Sequence, residues 1–161
     1  MSTTDQSGGT PRKASPVELR RRARRYCLQA LYQWHMARTA PYEIEAQFLS
    51  DEDMERFDRP YFSEIFRGVT DTVGELDEAI KPCVDRPLKE LDPIEHAVCR
   101  MGAWELRNRP DIPYRVVINE AVELAKAFGG TDGHKFVNRV LDRLASTVRA
   151  TEVAARNQTR R

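Results

Sequence analysis

The sequence has no long apolar run and only three cysteines. None of its apolar stretches approaches the ~20 residues that a membrane-spanning helix needs, which excludes an integral membrane protein. Cys27, Cys83 and Cys99 are an odd number at wide spacing, which fits neither a disulfide framework nor a structural zinc site. The cysteine pattern therefore favours a reducing, cytoplasmic location. The opening MSTTDQSGGT contains no apolar segment, so we expect no secretory signal.

The sequence also lacks the motifs of the common enzyme chemistries. It has no glycine-rich phosphate loop, no nucleophile elbow and no pair of histidines at metal-ligand spacing. His134 falls in the first turn of a predicted helix, where a structural hydrogen bond explains it better than catalysis does. We therefore expect no catalytic residue, no metal site, no cofactor and no enzymatic activity.

What is present is enough for a folded domain. The chain has 161 residues, of which 40% are hydrophobic and 32% charged. That length suits one domain or two very small ones, and the apolar fraction is too high for wholesale disorder. The net charge is only +1.

The balanced net charge hides an asymmetry along the chain. Between Arg12 and Arg25 there are seven basic residues and one acid, whereas 43–95 holds 16 acids and 6 bases. Such a split indicates the kind of partner rather than the fold. The basic end could meet a polyanion, and the acidic middle could meet a basic protein or simply face solvent.

Apolar residues recur with helical spacing along most of the chain, and no segment is a convincing strand. These apolar faces run from Ala23 to Trp34, Ile44 to Leu49, Phe62 to Ile80, Ala97 to Trp104, Val117 to Phe128 and Val137 to Val148. The sequence thus predicts an all-α domain of about seven packed helices at 18–148. We expect a flexible tail at 1–17 and a flexible basic tail at 149–161, where the periodicity is lost.

Several residues mark where helices begin and end. Asp58 before Pro60 and Asp92 before Pro93 are typical N-caps, and the second is followed by Glu95 at capping-box spacing. Gly129 and Gly130 end a predicted helix, and we expect them to supply the left-handed conformation of a C-cap.

The first helix carries a basic stripe. At 100° per residue, Arg21, Arg22, Arg25, Gln29 and Tyr32 share one side. Arginines interleaved with an amide and an aromatic can grip phosphates, hydrogen-bond base edges and stack on bases. The alternative is a solvated basic helix that only adds solubility.

A second candidate surface lies at the start of the last helix. Phe136 is flanked there by Lys135, Arg139 and Arg143, which makes a possible stacking platform beside a helix N-terminus. The alternative is that Phe136 packs against a neighbouring helix.

Four segments carry a resemblance to a known family. The segments RRRARRYCLQALYQWHM, YFSEIFRGV, LDPIEHAVCRMGAWEL and PYRVVINEAVELAKAFGGTDGHKFVNRVLD resemble the NusB family of transcription antitermination factors, over about residues 18–148. The resemblance implies an all-α fold in which a small three-helix N-terminal unit packs on a four-helix unit.

The resemblance also implies a function and partners. Members of the family bind the single-stranded boxA RNA of ribosomal RNA operons together with NusE, a small-subunit ribosomal protein. That complex joins elongating RNA polymerase and suppresses premature termination, without catalysis. Some members form homodimers that hide the RNA surface, so a homodimer is an alternative state here.

The family's functional positions transfer to this chain residue by residue. The residues that match the RNA surface are Arg20, Arg21, Arg22, Arg24, Gln29, Lys135, Phe136 and Asn138. The NusE side is expected near Tyr32 and Glu95. The chain departs from some relatives at Cys83, where they have an aromatic, and at Lys89, where they have an acid.

Two hypotheses follow. The first is an RNA-binding adaptor that works with NusE. The second is a protein-interaction adaptor without intrinsic RNA binding, in which the basic stripe docks an acidic partner and the acidic middle docks a basic one. The interleaving of Gln29 and Tyr32 with arginines favours the first, because a purely electrostatic face does not need them.

Overall fold

The computed structural model describes residues 13–159, so residues 1–12 and most of the predicted N-terminal tail lie outside it. The described chain forms eight α-helices and no strand, with short 3-10 turns at Lys81–Cys83 and Leu88–Glu90. The helices are α1 (Pro16–Ala37), α2 (Pro41–Ser50), α3 (Arg59–Asp71), α4 (Val73–Ile80), α5 (Pro93–Asn108), α6 (Tyr114–Phe128), α7 (Gly133–Val148) and α8 (Ala150–Thr159).

The helices pack as two units around one core, which confirms the predicted all-α fold. In the first unit α1 packs on α3 and α2 on both, and in the second α5, α6 and α7 pack on one another with α4 against α5. α5 also contacts α1 and α3, so it joins the two units. Phe62 and Phe66 stack at the centre of the first unit with no exposed surface. No helix between residues 13 and 159 is long and apolar enough to cross a bilayer.

The predicted N-caps are confirmed, and Gly129 does cap the end of α6, but the left-handed conformation predicted for it is wrong. The Asp58 carboxylate accepts a hydrogen bond from the Tyr61 amide at 3.0 Å, and Asp92 accepts from the amides of Ile94 and Glu95 at 2.9 and 3.1 Å. No described glycine has a positive φ. Gly129 is extended, and its role is steric, since a Cβ there would lie 2.8 Å from the Ala125 carbonyl oxygen.

The continuous helix predicted from Phe62 to Ile80 is broken at Thr72. The Thr72 hydroxyl donates to the Gly68 carbonyl at 2.7 Å, and its φ of −124° and ψ of 26° leave the helical region. A threonine side chain that takes a carbonyl one turn back competes with the helix for that acceptor. The apolar periodicity continues through the break, so the spacing could not reveal it.

The segment predicted as a tail from residue 149 forms α8 instead. Arg149 is buried, and its guanidinium donates to the carbonyl oxygens of Leu106 and Arg109, both at 2.8 Å. It also pairs with Glu152 at 2.6 Å. These polar contacts anchor the start of α8 to the end of α5. The prediction looked for a regular apolar face, and α8 is held in place without one.

The second unit contains a half-buried ion pair on α4. The Asp77 carboxylate accepts from Arg100 at 2.9 and 2.7 Å and contacts His96 Nε2 at 2.9 Å. Burial alone would raise the pKa of Asp77, but the hydrogen bonds from Arg100 and His96 outweigh it and hold the pKa far below its ordinary value. Asp77 therefore stays charged under all but strongly acidic conditions.

We expect Asp77→Asn to lower the free energy of unfolding by about 2–3 kcal/mol at pH 7, because it removes charge-assisted hydrogen bonds. The pKa of Asp77 is depressed in the folded state, so its stabilisation is present above the unfolded pKa of ~3.9 and is lost as pH falls toward the folded value. Urea denaturation at pH 7 and pH 3 gives the free energy of unfolding of both proteins. The amount by which the variant is less stable than wild type should be about 1 kcal/mol smaller at pH 3 than at pH 7. An equal difference at both values would contradict this assignment.

Candidate nucleic-acid interface

The arginines of α1 do not form one exposed stripe. Arg24, predicted as an RNA contact, is 4% exposed and lies inside the molecule. Its guanidinium donates to the Glu105 carboxylate at 3.2, 3.1 and 2.8 Å, and the Tyr61 hydroxyl donates to the same carboxylate. Arg24 is therefore a largely buried structural residue that only borders the cavity between α1 and α6, and its contact with RNA stays a prediction.

This buried cluster stays fixed over the working pH range. Burial and the neighbouring Glu105 carboxylate raise the pKa of Tyr61 far above its usual value, so Tyr61 remains a donor. Burial opposes the charge on Arg24, but the Glu105 carboxylate raises the Arg24 pKa overall. The cluster thus ties α1 to α3 and α5 through satisfied charges.

Arg20 and Arg22 point to other parts of the first unit. The Arg20 guanidinium lies 4.2 Å from the centroid of the Tyr61 ring, in cation–π contact. Arg22 donates to the Arg56 carbonyl at 2.9 Å and lies 3.8 Å from Glu55, in the loop before α3. The structure does not bring these two side chains together with the remaining predicted RNA contacts.

The other members of the stripe do line a common surface, which we call the α1 groove. Arg21 and Arg25 border a cavity of about 310 Å³ whose far wall is α6, including Glu120 and Phe128. Further along α1, Gln29 and Tyr32 border an apolar pocket of about 150 Å³ that also reaches Phe128, together with Leu28 and Ile94. Phe128 is 42% exposed and belongs to both, so it connects the basic and apolar parts of the groove.

The start of α7 forms a second cavity, of about 390 Å³, which we call the α7 cavity. It is lined by Arg86, Glu95, Gly130, Thr131, Asp132, Gly133, Lys135, Phe136 and Arg139. Phe136 is only 8% exposed, and Arg86 and Arg139 lie over its ring at 5.3 and 5.8 Å from the centroid. Phe136 is thus largely a packed residue whose accessible surroundings are arginines. Asn138 is exposed on α7 but does not line the cavity.

Glu95 lies against the loop between α6 and α7. A Cβ on Gly133 would lie 2.4 Å from Glu95 Oε2, so any larger residue there would displace this carboxylate from its observed position. Burial and the charge of Asp92 raise the pKa of Glu95, while a hydrogen bond from the Gly130 backbone opposes them. The predicted partner residue Glu95 is therefore half-buried and held by the loop rather than projecting into solvent.

The α1 groove and the α7 cavity adjoin at the start of α5. On one wall, Ile94 lines the groove and the next residue, Glu95, lines the cavity. On the other wall, Phe128 lines the groove and Gly130 lines the cavity. The two surfaces that the sequence suggested separately are thus parts of one surface. It combines arginine and lysine side chains, the exposed amide of Gln29 and the exposed rings of Tyr32 and Phe128.

Sequence comparison assigns the chain to a family. The NusB family model matches residues 21–146. The transcription antitermination protein NusB of Pseudomonas entomophila (strain L48) is 58% identical over 143 residues, covering 89% of this chain and 86% of the relative. The chain belongs to the NusB family. Its similarity to the protein of the same name from Hahella chejuensis (strain KCTC 2396) is 57% over 139 residues, covering 86% and 93% of the two chains.

Solved NusB structures share the fold. T. maritima NusB superimposes with a TM-score of 0.70 at 29% identity, over 84% of this chain and 94% of the other. A chain from a crystal structure of the antitermination factors NusB and NusE in complex with dsRNA gives a TM-score of 0.69 at 22% identity, over 77% and 93%. The helical arrangement described above is therefore that of the NusB fold.

Sequence reasoning missed several residues of this NusB surface. Phe128 was assigned to the apolar face of its helix, yet it is 42% exposed as the last residue of α6. The sequence did contain a signal for this exposure, because Phe128 stands directly before Gly129 and Gly130, where its helix ends. Arg86 reaches the α7 cavity from the loop after α4, and nothing in the local sequence indicates that approach.

Proposed function

We propose that this chain is a transcription antitermination factor that binds boxA RNA together with NusE, as a non-catalytic part of an antitermination complex on RNA polymerase. The observation that carries the proposal is the joining of the α1 groove and the α7 cavity into one surface, on a chain whose relatives are transcription antitermination proteins. The surface has the residue types that single-stranded RNA requires, which are guanidiniums for phosphates, amides for base edges and ring or guanidinium planes for stacking.

The RNA contacts divide by chemistry. Arg21 and Arg25 in the groove, and Lys135 in the cavity, supply phosphate contacts and therefore the salt dependence of binding. Gln29 and Asn138 are exposed and can hydrogen-bond to unstacked bases. Arg20 and Arg22 also remain proposed RNA contacts. Because Arg20 already packs on the Tyr61 ring and Arg22 already donates to the Arg56 carbonyl, only the rest of each guanidinium is available to RNA.

The apolar end of the α1 groove suits a protein partner, and we propose that NusE binds there. Tyr32 is 38% exposed, Phe128 is 42% exposed, and the pocket between them has an entirely apolar surface. An exposed aromatic pair around a small apolar pocket is typical of an interface hot spot. The related NusB chain noted above was crystallised with NusE and dsRNA, which supports the pairing.

The proposal is tested by binding of a labelled single-stranded boxA RNA, with and without NusE, across a salt series and beside a scrambled RNA. We expect selective binding that NusE strengthens, since each partner adds RNA surface for the other. Weak, unselective binding that NusE does not change would contradict the proposal. The molecular mass in solution would then show whether a homodimer hides the surface.

We expect Phe128→Ala to weaken NusE binding by about 30-fold, because a truncated central aromatic costs about 2 kcal/mol at an interface. Isothermal titration of NusE into each variant measures the effect. Met36→Ala is the matched control, since Met36 is an exposed apolar residue of α1 that lines neither the groove nor the cavity. Equal affinities for Phe128→Ala and wild type would place NusE elsewhere.

A protein-interaction adaptor without RNA binding is the second candidate. The observation in its favour is that Arg21, Arg22 and Arg24 already pair with acids of the same chain, which lowers the number of free cations. In that case the purified protein would carry no RNA, and its absorbance ratio at 260 to 280 nm would not fall after a high-salt wash.

A further inference from the structure

Glu120 on α6 lies between two arginines of α1. Its carboxylate accepts from Arg21 Nε with both oxygens, each at 3.1 Å, and lies 3.1 Å from Arg21 Nη2. On its other side, Glu120 Oε1 lies 3.8 Å from Arg24 Nη1. The Glu120 side chain is 14% exposed, whereas that of Arg21 is 55% exposed. The nearly buried Glu120 carboxylate thus holds the exposed Arg21 guanidinium in place.

Glu120 is itself held from the inside. Arg24 cannot swing away from it, because the Nε–Nη2 edge of Arg24 is fixed on Glu105, and Tyr61 donates to that same carboxylate. Glu120 therefore faces a stationary positive charge on its buried side. The chain of contacts from Glu105 through Arg24 and Glu120 to Arg21 runs from the core to the surface.

The pair with Glu120 uses only one edge of the Arg21 guanidinium. The Nε and Nη2 groups face the carboxylate, and Nη1 makes no hydrogen bond among the described residues. A planar guanidinium held along one edge has its opposite edge fixed in direction. Arg21 lines the α1 groove, where a phosphate is proposed to bind.

We propose that Glu120 is a positioning residue for RNA binding, which orients Arg21 so that its free edge meets a phosphate in the α1 groove. The role rests on the proposed function. An arginine side chain loses conformational entropy when it is ordered on a phosphate. Because Glu120 already orders Arg21 in the free protein, that entropy is not lost when RNA binds. The opposite role is also physically defined: if Glu120 competed with phosphate for Arg21, its removal would strengthen binding.

The two roles predict opposite signs for Glu120→Gln. The substitution removes a negative charge beside the RNA, so electrostatics alone would tighten binding. Positioning predicts instead that the affinity for boxA RNA falls by about 3- to 10-fold. The slope of log K against log salt should also fall by up to about 0.7, the value of one phosphate contact to a single strand.

The matched control is Glu123→Gln. Glu123 lies one turn further along α6, borders the same cavity, and pairs only with Lys126 at 3.5 Å among the described residues. It removes the same charge without touching Arg21, so it reports the electrostatic change alone and should not weaken binding. In an Arg21→Ala background, Glu120→Gln should lose its weakening effect, because there is no guanidinium left to orient.

A second variant covers the case in which Glu120→Gln does not fold, as judged by helical circular dichroism. Glu120→Asp keeps the charge but shortens the reach to Arg21, and it should also weaken binding. Unchanged or tighter binding by Glu120→Gln and Glu120→Asp, with wild-type protein binding boxA RNA normally, would overturn the positioning role and leave the proposed function standing. If the wild-type protein binds no RNA, the proposed function fails and the positioning role fails with it.

Discussion

Arg24→Ala should lower the free energy of unfolding by about 3–5 kcal/mol, which is the usual effect of removing one partner from a buried ion pair. Arg24 and Glu105 are 4% and 2% exposed, so the variant leaves the Glu105 carboxylate inside the protein with only the Tyr61 hydroxyl as a hydrogen-bond donor from that cluster. Chemical denaturation at pH 7 measures the loss directly. For a domain with marginal stability, that loss is a large part of the total.

The control for this effect is Arg25→Ala. Arg25 is the next residue of the same helix and is exposed, so we expect its substitution to change stability by at most about 0.5 kcal/mol. Replacing the pair together, as Arg24→Met with Glu105→Met, should recover most of the lost stability because no charge then stays buried unpaired. If Arg24→Ala is as stable as Arg25→Ala, the ion pair is not formed in solution.

Arg21→Ala combined with Arg25→Ala should weaken boxA RNA binding by about 100-fold, because two charge-assisted contacts are lost at about 1.5 kcal/mol or more each. The salt slope should fall by about 1.4, at about 0.7 for each phosphate on a single strand. The effect should be similar for boxA and scrambled RNA, since phosphates carry no sequence information. Fluorescence anisotropy over a range of salt concentrations gives both quantities.

A variant with the same loss of charge separates contact from overall electrostatics. Lys81→Ala with Arg107→Ala removes two positive charges from residues that line neither the α1 groove nor the α7 cavity. The slope of log K against log salt for this variant should stay within about 0.3 of the wild-type slope. Neither residue contacts RNA directly, so their loss does not change the number of counterions released on binding. Equal losses in the two double variants would mean that the groove makes no specific phosphate contact.

The parts of the fold that follow from short-range chemistry were predictable. Apolar spacing and the Asp58 and Asp92 caps located most helices, since each depends on neighbours within four residues. The break at Thr72 and the start of α8 at Ala150 were not predictable in this way. At the break the backbone of Thr72 leaves the helical region although the apolar spacing continues through it, and α8 depends on the Arg149 side chain reaching carbonyls about 40 residues earlier.

The candidate site shows the same division. The sequence located both of its regions, because basic and aromatic residues alternate visibly along α1 and α7. Helical spacing put Arg21 on the basic stripe and left Arg24 off it, but it could not show which acid each arginine meets, since Glu105 and Glu120 are 81 and 99 positions away. Whether an arginine faces RNA or a buried acid is decided by tertiary packing.

Arg149 also bears on how the chain folds as it is synthesised. The Leu106 carbonyl, in the last turn of α5, accepts from the Arg149 side chain 43 positions later, and the Arg109 carbonyl just after the helix accepts from Arg149 as well as from the nearby Ile112 amide at 3.0 Å. Until Arg149 has been synthesised and has packed against α5, the Leu106 carbonyl lacks this donor and is left to water. The joint between α5 and α8 therefore closes only after Arg149 has been translated, so this contact between the two helices forms after α5, α6 and α7 have been synthesised.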